Sequence, residues 1–273
     1  MKRIVALLSQ MDAAKELIEV TRKKAQTLGA GVTLLYIKEE RLFDLPIFGE
    51  EEPTLAGALE HLKAQVREAG GEEWAVLAYE DDPVDHLLLE ARREKALLVI
   101  SDFEGEVRED LIERCRTPLL FLERGIVHEC AKVLLVFDPA YSDADCLPLV
   151  RKILEAREYS AYLDYQIVPT MGTDLSLDPM IDTLNVEVQI EEEVMEARKK
   201  AFEALCEKEG LSGTFEVGEA GMVEDILART AVEEAECLAF IVEDHDTLLA
   251  DALPELARKA RRDLLICFRD HEA

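Results

Sequence analysis

Arg3-Ile-Val-Ala-Leu-Leu-Ser9 is an almost unbroken apolar run, and Lys132-Val-Leu-Leu-Val-Phe137 is a second of the same kind. A short apolar run without alternation suits a strand buried on both faces of a parallel sheet. Helical spacing follows the first run over 12–28. Ala14, Leu17, Ile18 and Leu28 fall on one side and Lys15, Glu19 and Lys23 on the other, and Gly29 and Gly31 end the pattern. Working outward, the first half reads as a strand at 32–37, a helix at 54–69 closed by Gly70-Gly71, and a strand at 74–79. Asp82-Pro83 then opens a helix reaching about Lys95, with proline in the first turn where its missing N–H costs nothing. A strand at 96–100, a helix at 107–115 and a strand at 119–122 complete it. The order recurs after 132–137: helix 144–157, strand 162–168, helix 191–208, strand 214–217, helix 222–234, strand 237–242, helix 248–260 and strand 264–268. Each half is βαβαβαβαβ, which predicts an α/β fold. It would have two tandem Rossmann-like domains, each a five-stranded parallel sheet with helices on both faces and right-handed crossovers. The expected division is 1–125 and 126–273.

The chain has 273 residues, 49% hydrophobic and 33% charged, as expected of a globular protein. Its net charge of -28 leaves no basic excess to displace counterions from a phosphate backbone or to hold anionic lipid, so nucleic acid and membrane surfaces are unsuitable partners. No apolar run approaches the roughly 20 residues that cross a bilayer. The first residues lack a long apolar core and a cleavage signal, which predicts a cytoplasmic protein. Cys115, Cys130, Cys146, Cys206, Cys237 and Cys267 show no close pairing in the sequence. They read as reduced, small buried hydrophobes rather than a disulfide framework or zinc ligands.

Several segments resemble the universal stress protein family in its tandem form. Arg3–Ser9 with Met11-Asp-Ala-Ala-Lys-Glu-Leu17 is similar to the family's first strand and helix, and Leu34-Leu-Tyr-Ile-Lys38 to its second strand. Glu80-Asp-Asp-Pro-Val-Asp85, Ala96-Leu-Leu-Val-Ile-Ser101 and Thr117-Pro-Leu-Leu-Phe-Leu122 resemble the third-helix start and the fourth and fifth strands. Val133-Leu-Leu-Val-Phe-Asp138, Glu219-Ala-Gly-Met-Val-Glu-Asp-Ile-Leu227 and Leu238-Ala-Phe-Ile-Val242 carry the resemblance through the second half. The resemblance implies that the fifth strands of the two halves pair, giving an internal pseudo-dimer, and that the setting is stress response. It also implies where ATP would sit: a glycine loop after the fourth strand, whose bare amides hold phosphates. Here that loop has degenerated. Residues 101–115 hold a single glycine, Gly105, and 243–252 hold none. Side chains block close backbone approach. Carboxylates there repel phosphate by about 4 kcal/mol per charge pair at ~4 Å and an effective dielectric near 20, about a thousandfold in affinity.

In open α/β sheets, ligands sit beyond the strands' carboxyl ends where strand order reverses. That crevice predicts Ser9, Gln10, Ser101 and Asp102 as lining in the first half. In the second it predicts Asp138 with Glu243, Asp244 and His245. Asp138 before Pro139 also suits a turn leading into a helix. Three carboxylates and a histidine could hold a hard cation, but in so acidic a chain a solvated acidic loop end is the favoured reading, so no metal is assigned. No nucleophile elbow, zinc helix motif, Walker loop or dinucleotide fingerprint occurs, and no catalytic residue is assigned. His61, His86 and His128 read as surface polar residues. Two apolar loops, 41–48 and 171–188, occupy matched positions after each second strand, where they would either cover their own domain or meet a partner. The expected function is therefore a regulatory or interaction protein that self-associates or binds a protein partner and carries no cofactor. The alternative is an adenine-nucleotide (ATP or AMP) or other small-molecule binder using the second crevice.

Overall fold

β1 (Arg3–Leu8) carries Ile4, Val5, Ala6, Leu7 and Leu8 fully buried, the burial that its apolar run requires. Burying each large aliphatic side chain is worth roughly 1.5–3 kcal/mol against leaving it in water. The computed structural model describes residues 2–38, 54–80, 82–140, 145–166, 183–218, 220–243 and 247–269. After β1 come α1 (Ala14–Leu28), β2 (Gly31–Lys38), α2 (Leu55–Glu68), β3 (Ala75–Glu80), α3 (Pro83–Arg93), β4 (Ala96–Ser101), α4 (Gly105–Arg114) and β5 (Leu119–Phe121). The second set is β6 (Lys132–Val136), α5 (Leu147–Leu154), β7 (Glu158–Tyr165), α6 (Thr183–Glu209), β8 (Ser212–Val217), α7 (Met222–Val232), β9 (Cys237–Glu243), α8 (Thr247–Lys259) and β10 (Asp263–Arg269).

The ten strands form one sheet in the order β3-β2-β1-β4-β5-β10-β9-β6-β7-β8. Within each half the pairing is parallel, and strand order reverses between β1 and β4 and between β6 and β9. The halves join where β5 runs antiparallel to β10, with Phe121 opposite Leu264 and Leu119 opposite Ile266. The pairing of fifth strands implied by the family resemblance is therefore present within the single chain. Alternation along β1 places Ile4, Ala6 and Leu8 on one face with Leu17 and Ile18 of α1 and Leu62 of α2. Val5 and Leu7 face the other layer, with Leu87 of α3 and Leu111 of α4. In the second half α5 and α6 share the first face through Val150 and Phe202, while α7 and α8 share the second through Ile226 and Leu253.

Local chemistry sets most boundaries. Gly29 closes α1 in the left-handed conformation (φ 61°), and its N–H reaches the Ala25 carbonyl. The Asp82 carboxylate caps α3 by accepting from the amides of Val84 (2.8 Å) and Asp85 (3.0 Å).

Four expectations need correction. The helix expected at 144–157 spans only Leu147–Leu154, because Glu155 turns left-handed (φ 55°) while its carboxylate takes bonds from Lys24 and Thr27 of α1. The Arg157 and Glu158 amides then bond the Ala131 carbonyl, so β7 starts four residues earlier than the expected 162. The helix expected from 191 begins at Thr183, so 183–188 of the expected loop 171–188 are helical, while 171–182 and loop 41–48 lie outside the described residues. Cys130 and Cys237 are not separate thiols but a disulfide spanning 107 residues, while Cys115, Cys146, Cys206 and Cys267 take part in no disulfide. The sequence interval hid this pair; the strand register brings it together.

Candidate functional site

The first reversal point lies beyond the ends of β1 and β4, and Ser9, Gln10, Ser101 and Asp102 do converge there. Ser9 and Asp102 satisfy each other. Ser9 donates its amide to Asp102 Oδ1 at 2.8 Å and its hydroxyl to Oδ2 at 2.7 Å, fastening the end of β1 to the end of β4. Arg124, just past β5, closes the arrangement from above. Its guanidinium donates to the Ser9 hydroxyl and to Gln10 Oε1 (3.3 Å) and stands 3.7 Å from Asp102 Oδ2. Ser101 Oγ accepts from the Phe103 amide at 3.2 Å. Ser101, Asp102 and Phe103 are all buried. Burial pushes the Asp102 carboxyl above its usual range, against the two Ser9 bonds and the Arg124 charge, which pull it down.

The second reversal point lies beyond β6 and β9. Asp138 stands there with both oxygens engaged: Oδ1 accepts from the Ala140 amide (2.8 Å), as its turn-forming reading anticipated, and Oδ2 from Arg198 of α6 (2.8 Å). Glu243 ends β9 and is buried. Asp244 and His245 lie outside the described residues. Around Asp138, the residues Asp164, Gln166, Arg198, Met222 and Leu249 help to line a cavity of about 40 Å³.

Sequence reasoning missed the polar core of this second crevice. Asp164 on β7 is buried, and its Oδ1 has no hydrogen-bond partner among the described residues. Gln166 donates to its Oδ2 and, at 3.4 Å, to Asp225 of α7. Burial raises the Asp164 carboxyl to about 6; the Gln166 bond opposes this, and the charges of Asp225 and Glu216 add to it. Tyr162 donates its hydroxyl to Glu216 at 3.1 Å, and burial with the Asp164 charge pushes its own ionisation upward. The available signal was Asp164 itself, an acid directly following the apolar segment 161–163. Chemically, the second crevice offers a buried carboxyl pushed up to about 6 in the same cavity lining as the Arg198–Asp138 ion pair, whereas the first offers a closed clasp.

No protein-family model and no curated protein matches the sequence. Solved structures do match its shape. One, provisionally described as a universal stress protein from Pseudomonas aeruginosa UCBPP-PA14, superposes with TM-score 0.67 at 12% identity over 98% of this chain and 93% of the other. A universal stress protein from Archaeoglobus fulgidus DSM 4304 covers 99% of this chain and 97% of its own at 15% identity and TM-score 0.54. The chain has the fold of tandem universal stress proteins. A functionally unknown protein from Pseudomonas aeruginosa PAO1 shares it too, with TM-score 0.65 and 14% identity over 99% of this chain and 93% of its own. In this chain an aspartate tied down by Ser9 and Arg124, followed by a buried phenylalanine, fills the first reversal point after β4.

Proposed function

We propose that this chain is a universal-stress-protein-like regulatory protein of the stress response, acting by association with itself or a protein partner, and that it does not hold ATP as the family's ATP binders do. One observation carries this reading: the clasp of Ser9, Asp102 and Arg124 fills the place beyond β1 and β4 where a ligand of an open α/β sheet would sit. A triphosphate would have to break two bonds to a buried carboxylate and then lie against its charge. We assign the chain no catalytic chemistry and no cofactor, place it in the cytoplasm, and give the partner role to segments 41–48 and 171–188. No helix among the described residues is long and apolar enough to cross a membrane. Calorimetric titration with ATP, AMP and cyclic AMP, with and without magnesium, is expected to show no micromolar binding. Micromolar ATP binding would overturn the reading.

A second reading rests on Asp164. Asp164, whose Oδ1 has no partner among the described residues, lines the same cavity as Arg198 and Asp138, a donor and acceptor set suited to a small polar molecule such as AMP. The same titration separates the two, since AMP binding abolished by Asp138→Ala would move the function into the second crevice.

A further inference from the structure

A side-chain cluster at the seam between the halves belongs to neither crevice. Cys237 is the first residue of β9 and Asp263 the first of β10, and the parallel register sets them opposite each other. Cys130, in the segment leading to β6, bonds to Cys237 with Cα atoms 5.8 Å apart. Both sulfurs and an Asp263 oxygen lie within 4.8 Å of one another. Asp263 and Cys237 are buried. Cys130 is half-buried and opens onto a cleft of about 840 Å³, whose lining mixes the cations Lys24, Arg157, Arg261 and Arg262 with the acids Glu129, Glu155 and Glu236. His128 was expected at the surface, yet its ring is buried between two acids. Its Nδ1 meets Asp263 Oδ2 at 2.8 Å and its Nε2 meets Glu16 Oε1 at 2.9 Å.

We propose that Cys130, Cys237 and Asp263 form a redox-gated site for a thiophilic divalent cation, Zn²⁺, closed in the disulfide form and opened by a dithiol reductant. The reductant gives two electrons and two protons: the Cys130–Cys237 bond breaks, two thiols form, and the reductant leaves as its own disulfide. Zn²⁺ then displaces both thiol protons, and two sulfur–metal bonds with one carboxylate–metal bond replace the S–S bond. The donor chemistry selects the metal. Paired thiolates favour zinc over magnesium or calcium, which take oxygen alone. Three protein ligands leave a fourth position for water from the cleft. Asp263 keeps lone pairs for a metal after accepting from the Glu123 amide (2.9 Å) and from His128. His128 is the positioning residue, holding the ligating carboxylate from its other side. Two thiolates and a carboxylate carry three negative charges against the cation's two, leaving the filled site one negative charge at the edge of a cleft that holds both cations and acids. Cys130, which opens onto the cleft, is the sulfur that a reductant can reach.

The test uses the full chain. Denatured without reductant, it should show four free thiols of its six cysteines, and all six after reduction. The chain is reduced with a dithiol, stripped of metal, freed of reductant without air, and titrated with Co²⁺. One equivalent should bind with a thiolate-to-cobalt charge-transfer band and tetrahedral ligand-field bands, and one equivalent of Zn²⁺ should erase both. Oxidised chain and reduced Cys130→Ser should each bind about a hundredfold more weakly or worse, His128→Ala about 10- to 100-fold more weakly, and Cys146→Ser as wild type. Cys130 lies outside any strand, so its serine variant tests the site even if Cys237→Ser fails to fold. Six free thiols before reduction, no charge-transfer band in the reduced chain, a band surviving Cys130→Ser, or equal binding by oxidised chain would each overturn the proposal. None of these results bears on nucleotide binding.

Discussion

Asp164 sets the pH response at the scale of single residues. Its folded carboxyl titrates at about 6, above the ordinary carboxylate value near 3.9, so the folded chain keeps a proton there that the unfolded chain releases earlier. The stabilisation from that proton is complete below about pH 4 and is lost as pH rises through 6. By pH 7.5 the ionised, buried group disfavours the folded state by about 2–3 kcal/mol. Asp164→Asn removes the ionisation, so urea unfolding should find the variant about 2 kcal/mol more stable than wild type at pH 7.5 and nearly equal to it at pH 4. A variant that keeps the wild-type pH dependence would contradict this assignment. Of the candidate residues, Ser9, Ser101 and Asp102 were legible because strand ends mark a reversal point. Arg124 and Arg198 were not, because nothing near them in the chain says which carboxylate an arginine will reach.

At the scale of elements, the caps were readable and the junctions were not. Asp82-Pro83 announces α3, and the structure places the Asp82 carboxylate on two amides of the first turn. Asp82→Ala should therefore cost about 1 kcal/mol, seen as a lower urea midpoint with an unchanged slope. No change in midpoint would mean that water serves those amides equally well. By contrast, α5 stops at Leu154 because Lys24 and Thr27, more than a hundred residues earlier, hold Glu155 in a left-handed turn. Residues 155–157 carry no glycine or proline to signal that stop. A contact from the other half of the chain overrode a pattern that locally favoured more helix.

At the scale of the whole molecule, β5 and β10 make the two halves one sheet. Leu119, Leu120, Leu264, Leu265 and Ile266 are buried along this seam, and Arg108 of α4 crosses it to donate to the Ala257 carbonyl of α8 at 2.9 Å. Separating the halves would expose that surface and leave the seam's strand groups unpaired, so the chain should unfold as one unit. Trp74, the sole tryptophan, packs in the first half, whereas circular dichroism reports both. With the disulfide reduced, the two signals should give coincident urea transitions. An earlier fluorescence transition would show that the seam does not couple the halves.

The amino-acid order alone determined the repeated strand–helix alternation, because the side-chain periods of strands and helices are written over neighbouring residues. It also determined the absence of a glycine cradle after β4 and β9, because the missing residues are themselves local. Only the tertiary structure decided that Asp102 fastens to Ser9 across 93 residues, that Cys130 meets Cys237 across 107, and that His128 meets Asp263 across 135. Those meetings depend on strand register and on the antiparallel seam, where many buried contacts act together to fix which distant positions face each other.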